Sequence, residues 1–194
     1  GGAIGYLVGA VNRGLETMFI MMNEARFGVG VQGLGLAERA YQYALNYART
    51  RVQGRNAITG ETGQPIICHP DIQRAILSMR ARVMAMRSLL YTAAGWFDLA
   101  HHHPDPAVAD KYRRYVDLLM PVAKGWCTEV GNEVCDDAIQ VFGGMGFVEE
   151  TGIAQYFRDA RIITIYEGTT GIQANDLVGR KILREKGATV HQLI

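Results

Sequence analysis

Apolar positions recur at helical spacing through most of the chain. Leu34, Ala37, Tyr41, Ala44 and Ala48 fall three or four residues apart, which places them on one face of a long helix over residues 15–51. Residues 52–64, with Gly54, Gly60 and Gly63, break the pattern and read as a loop. Pro70 suits the first turn of a second helix, in which Ile72, Ile76, Met79, Val83, Met86 and Leu90 form a narrow apolar seam. Two prolines in residues 101–106 end it. A third helix carries Tyr112, Tyr115, Leu119, Val122 and Trp126, with a kink expected at Pro121. A fourth, over residues 129–141, stops at Gly143 and Gly144, and shorter helical stretches follow at 152–159 and 171–183. Only residues 3–9 alternate weakly, closed by a turn at Asn12, Arg13 and Gly14, as the tail of a strand would be. The pattern predicts an all-α fold, an up-and-down four-helix bundle preceded by a short β remnant.

Composition narrows the function classes. A hydrophobic share of 48% with 20% charged residues belongs to a globular chain rather than a disordered one. A formal net charge of +1 argues against a nucleic-acid partner. The three cysteines, Cys68, Cys127 and Cys135, are odd in number and widely spaced, so neither a disulfide framework nor a zinc site is indicated; a reducing, cytoplasmic compartment fits. There is no apolar run long enough for a membrane span and no basic segment of a secretion signal. The opening glycine suggests that residue 1 is not a natural start.

Two segments carry candidate chemistry. In Gln140-Val141-Phe142-Gly143-Gly144-Met145-Gly146-Phe147, three glycines let backbone approach a partner, and exposed amides there can bind phosphate or a cofactor edge. A helix C-cap with a tight turn explains the same residues. In Ile165-Tyr166-Glu167-Gly168-Thr169-Thr170 a carboxylate lies between a β-branched, aromatic run and a glycine. It is poorly hydrated if that run is buried, which suits a base that takes a weakly acidic proton. A surface glutamate at a helix N-terminus fits equally. His101, His102 and His103 point in different directions at a helix end and read as a solvated terminus rather than a metal site. Met18, Met21 and Met22 read as core filling, or as the lining of an acyl channel. Cys127 and Cys135 are expected to be buried, and Trp96 and Trp126 to anchor packing.

Together the two segments, with Phe157-Arg158-Asp159-Ala160-Arg161 between them, resemble the closing signature of the acyl-CoA dehydrogenase family. Ala25-Arg26, then Gly33, Gly35, Leu36 and Ala37, then Tyr47-Ala48-Arg49-Thr50-Arg51 are similar to the first long helix of that family's carboxy-terminal domain. Gly5-Tyr6-Leu7-Val8-Gly9 resembles the end of its central β-domain. The resemblance implies a β-domain remnant over residues 1–14, the helical domain over 15–184, and a linker over 185–194 toward a further domain present in larger members. It implies a fragment, inactive alone.

It also implies roles. Glu167 matches the base that removes the α-proton of an acyl-CoA thioester while a β-hydride passes to FAD, and Arg26 the arginine that fixes its loop. Arg51 matches the arginine that meets the FAD pyrophosphate of a neighbouring subunit, though a plain cation at a helix C-terminus reads the same. Gln53 stands before Gly54 where many members have phenylalanine, and the loop is one residue shorter. Gln140, Gly143 and Gly144 match positions that cradle the adenosine diphosphate of FAD across a subunit interface, and Thr169 and Gln173 positions near flavin or adenosine. Ala25 occupies the alternative position of the base and cannot act as one. Further implications are a homodimer or homotetramer and an electron-transfer flavoprotein as acceptor. An acyl-CoA oxidase shares the half-reaction, and a non-catalytic DNA-binding or scaffold relative is the remaining alternative.

Overall fold

In the computed structural model, which describes residues 1–194, three long helices make the frame. Helix α1 spans Gly14–Thr50, α2 Pro70–His102 and α3 Pro106–Phe142. Pro70 opens α2 as expected, where a missing N–H costs nothing. Asp105 caps α3 by accepting a 2.9 Å hydrogen bond from the Ala107 amide. The predicted face of α1 is buried at Leu34, Ala37, Ala44 and Ala48, and the α2 seam is buried from Ile76 to Leu90. Helices α1 and α3 run the same way: Gly30 lies against Ala123, Gly33 against Cys127, and Tyr47 stacks on Phe142 at 4.0 Å. Helix α2 runs opposite, with Phe27 meeting Phe97 at 5.3 Å and Arg87 pairing with Glu38 at 2.5 Å.

The third and fourth helices of the sequence reading are one element. Residues 126–129 contain no breaker, and Pro121 sits buried within α3 without ending it. Proline removes one rung of the ladder, and the tertiary packing on both sides keeps the helix going. Trp126 is 39% exposed and anchors nothing in the core, whereas half-buried Trp96 packs on Tyr115 at 5.2 Å. Met21 is 59% exposed and Met18 lies at the surface, so neither fills the core. The first turns of α1 reach past the level where Phe27 meets Phe97 and have little to pack on.

The fourth member of the bundle is segmented. A single turn α4, Gly144–Phe147, leads to α5, Ile153–Ile163. After a break comes α6, Thr170–Asn175, continued by wider π turns over Asp176–Leu183, and then α7, Ala188–Leu193. This train descends along α3: Asn132 Nδ2 donates to the Ala160 carbonyl at 2.8 Å, Lys124 Nζ to that of Gly168 at 2.7 Å, and Tyr115 Oη to that of Gln192 at 3.0 Å. The architecture is therefore up, down, up and down, with its fourth helix interrupted at residues 164–169. Residues 1–13 form no strand; a lone strand has no partner here to satisfy its backbone. The turn at Asn12 is present, with φ +63°. Residues 185–194, expected to be a linker, turn at Lys186 and Gly187 and dock α7 on α3 through Tyr115.

Candidate active site

The interruption of the fourth helix carries Glu167. Its φ is +56° and that of Gly168 is +92°, two successive residues in left-handed backbone. For a glutamate this conformation is unfavourable and persists only where the surroundings impose it. Gly168 has a second constraint, since a Cβ there would lie 2.7 Å from Gln173 Nε2. Thr169 then caps α6, its hydroxyl accepting from the Ile172 amide at 3.4 Å.

Two buried donors hold the turn from below. Lys124 Nζ, from α3, donates to the Gly168 carbonyl at 2.7 Å. Gln173 Nε2 donates to the same carbonyl at 3.1 Å and to that of Glu167 at 3.3 Å. Arg26, from α1, forms a buried 3.0 Å ion pair with Asp176 and approaches to 3.8 Å of where a Gly168 Cβ would be. Burial pushes the Lys124 ammonium down to about 8; Glu129 opposes that shift, Arg26 reinforces it and Glu167 opposes it. Three buried polar atoms without a hydrogen-bond partner, Arg26 Nε, Gln173 Oε1 and Asp176 Oδ1, belong to this same cluster. Glu167 itself is half-buried, and only its backbone carbonyl is taken up by the clamp. The Glu167 side chain thus stands on a turn whose carbonyls are tied down by buried donors.

A second locus lies at the far end of α3. Arg51, the exposed C-cap of α1, lines a groove with Tyr47, Gly54, His69, Gln140 and Gly143. Gly143 adopts φ +60°, ψ −140°, a region that side chains exclude, so the helix ends there because glycine can turn there. Beyond the adjoining backbone, nothing lies within 4 Å of where a Cβ on Gly143 or Gly144 would sit. The backbone thus offers an open cradle beside a guanidinium, a fit for a pyrophosphate.

The sequence profile of the acyl-CoA dehydrogenase C-terminal domain matches residues 12–182. The chain belongs to the acyl-CoA dehydrogenase family. It is 53% identical over 191 residues to the 3-methylmercaptopropionyl-CoA dehydrogenase of Ruegeria pomeroyi, covering 98% of this chain and 32% of that protein. It is 30% identical over 166 residues to the caffeyl-CoA reductase–Etf complex subunit CarC of Acetobacterium woodii, covering 86% and 38%. The structure of Caenorhabditis elegans ACDH-11 in complex with C11-CoA superposes with a TM-score of 0.80 at 27% identity, covering 96% and 30%. The chain spans about a third of the length of the curated relatives it matches.

Within this acyl-CoA dehydrogenase domain the eight residues singled out from sequence fall into two groups. Glu167, Arg26, Thr169 and Gln173 come together at the interrupted helix, and Arg51, Gln140 and Gly143 line the groove, with Gly144 next in the chain. Gln173 is 2% exposed and turned inward, its amide spent on the turn. Sequence reasoning missed Lys124 and Asp176. A signal existed for the lysine, which interrupts the apolar series Met120, Ala123, Cys127 on α3. Asp176 lies in a polar stretch and gave none. No helix is long and apolar enough to cross a membrane.

Proposed function

We propose that this chain supplies the catalytic base and part of the flavin site of an acyl-CoA dehydrogenase, which introduces an α,β double bond into an acyl-CoA thioester. The observation that carries the reading is Glu167, presented on a left-handed turn that Lys124 and Gln173 hold by its carbonyls. A base has to meet a carbon acid in one orientation, and a turn fixed in this way does not reorganise during proton transfer. The Glu167 carboxylate takes the α-proton of the thioester. Arg26, neutralised by Asp176, stiffens the floor of the turn. Arg51, Gln140, Gly143 and Gly144 would hold the adenosine diphosphate part of FAD, and Thr169 lies on the rim of the turn. FAD, when bound, supplies the acceptor for the hydrogen that leaves the β-carbon as hydride.

The groove lies at the carboxy-terminal end of α3 and Glu167 beside its middle, about 24 Å away along the helix, which favours two different flavins and hence a homodimer or homotetramer. An electron-transfer flavoprotein is the acceptor we favour, in line with the name of the Acetobacterium woodii relative. A cytoplasmic setting agrees with three unpaired thiols.

The test uses the full-length protein, wild type and Glu167→Gln, mixed anaerobically with acyl-CoA thioesters, 3-methylmercaptopropionyl-CoA among them. Substrate should bleach the flavin of the wild type, and the variant should bind substrate yet bleach roughly 10²–10⁴-fold more slowly. Undiminished bleaching in the variant would place the base elsewhere. Reoxidation in air separates dehydrogenase from oxidase.

A further inference from the structure

Lys124 is fully buried in the middle of α3, and its single hydrogen bond is the one to the Gly168 carbonyl. Bundle packing does not require an ammonium here. Its neighbours along the helix face are Met120, Ala123 and Cys127, all buried, so a methionine would fill the same space without desolvating a charge. What the lysine does make is a short, charge-assisted bond to the residue that follows Glu167. Such bonds are stronger than the neutral amide bond that Gln173 adds to the same oxygen.

The backbone at this point needs an external hold. Glu167 and Gly168 both have positive φ, and a glycine relaxes readily to other conformations once its carbonyl is released. The charges around the ammonium point the same way. Arg26 repels it and already has Asp176 as its partner, while Glu129 and Glu167 attract it.

We propose that Lys124 is a positioning residue for the base: by holding the Gly168 carbonyl it fixes the turn that aims the Glu167 carboxylate at the α-carbon of the substrate. This rests on the reading of Glu167 as the base. Lys124 touches neither substrate nor flavin in this role and acts through the peptide unit after Glu167.

The experiment compares full-length wild type, Lys124→Met, Lys124→Gln and Glu167→Gln. Four quantities are read: bound flavin, thermal midpoint, kcat and KM, and exchange of substrate α-hydrogens in D2O. The exchange uses 3,3-dimethylbutyryl-CoA, whose quaternary β-carbon has no hydride to give, so it reports proton removal alone. For Lys124→Met the expected result is retained flavin and an unchanged or higher thermal midpoint. Its kcat and exchange should fall together by about 10- to 100-fold, with KM moving by no more than about threefold. Lys124→Gln, which keeps a shorter donor, should recover part of both. A merely structural lysine would show the opposite, lost stability with proton removal intact in whatever remains folded.

Wild-type exchange in a folded Lys124→Met protein would overturn the proposal. So would loss of fold in both lysine variants, because that would assign the side chain to the bundle rather than to the turn. If only Lys124→Met fails to fold, the exchange rate of Lys124→Gln decides, and a wild-type rate there counts against the proposal. Persistent exchange in Glu167→Gln would instead sink the reading of the base, independently of the lysine.

Discussion

A lysine without exposed surface in an apolar stretch of α3 leaves a thermodynamic trace as well as a kinetic one. Desolvation pushes its ammonium from 10.5 down to about 8, despite the attraction of Glu129 and Glu167. Below about pH 8 the side chain is protonated in both folded and unfolded chains, and the cost of burying the charge stands in full. Between about 8 and 10.5 the unfolded chain holds a proton that the folded chain has released, so stability rises with pH across that window. The difference in unfolding free energy between wild type and Lys124→Met should therefore be flat below about pH 7.5 and climb from there toward pH 10.5. Chemical denaturation at a series of pH values measures it. A difference that stays flat throughout would mean that the ammonium is hydrated in the folded protein. At this scale the site was half legible in sequence. Glu167 stood out as a carboxylate between a β-branched, aromatic run and a glycine, which a surface glutamate fits equally, and the family resemblance singled it out. Lys124 interrupts an apolar series, but that signal names no role until its partner, 44 positions away in this chain, is known.

At the scale of elements, the close crossing of α1 and α3 governs the frame. A Cβ on Gly33 would lie 2.7 Å from the Cys127 carbonyl oxygen, which belongs to rigid helix backbone. Gly35, two residues on, has open space around it. Gly33→Ala should destabilise the domain by roughly 1–3 kcal/mol through overpacking, whereas Gly35→Ala should be neutral or stabilise it by up to about 1 kcal/mol through helix propensity. Paired thermal melts test this, and equal effects at the two positions would refute the crossing. Sequence located the ends of α1 and α2 well, because glycines, prolines and the 3.6-residue period all agree there. It divided α3 between residues 126 and 129, where no breaker stands, because nothing local shows that a helix of 37 residues continues through that point. It also took the fourth helix of the bundle from the second half of α3, when the fourth member is the segmented train from α5 to α7.

The whole molecule can be read through its three thiols. Cys127 and Cys135 are buried and their thiols pushed up to about 12, Cys127 by burial and Cys135 by burial and the nearby charge of Asp159. Cys68 lies half-buried just before α2. A thiol reagent at neutral pH should label one cysteine in the folded protein and all three after denaturation, with labelling of the other two tracking global unfolding. Rapid labelling of three in the native state would show that the α1–α3 core opens easily. The all-α character and the bundle topology were both legible at this scale, since most of the chain obeys one period. The two clusters of site residues were set apart only by the family resemblance and not by the pattern, because distance in sequence says nothing of position along a helix axis until the register of neighbouring helices is known.

That register has a consequence for how the chain can change in length. Lys124 under the Glu167 turn and Gln140 at the groove belong to one unbroken helix, sixteen residues and about 24 Å apart. Inserting a single residue between them would swing one end about 100° relative to the other and lengthen the span by about 1.5 Å. The turn and the groove would then no longer face their respective ligands together. The tip of the neighbouring loop, residues 57–63, lies outside the groove and is mostly exposed, so it is under less constraint. Helix α3 thus acts as a gauge bar: length variation is admissible in the connector beside it and forbidden along it.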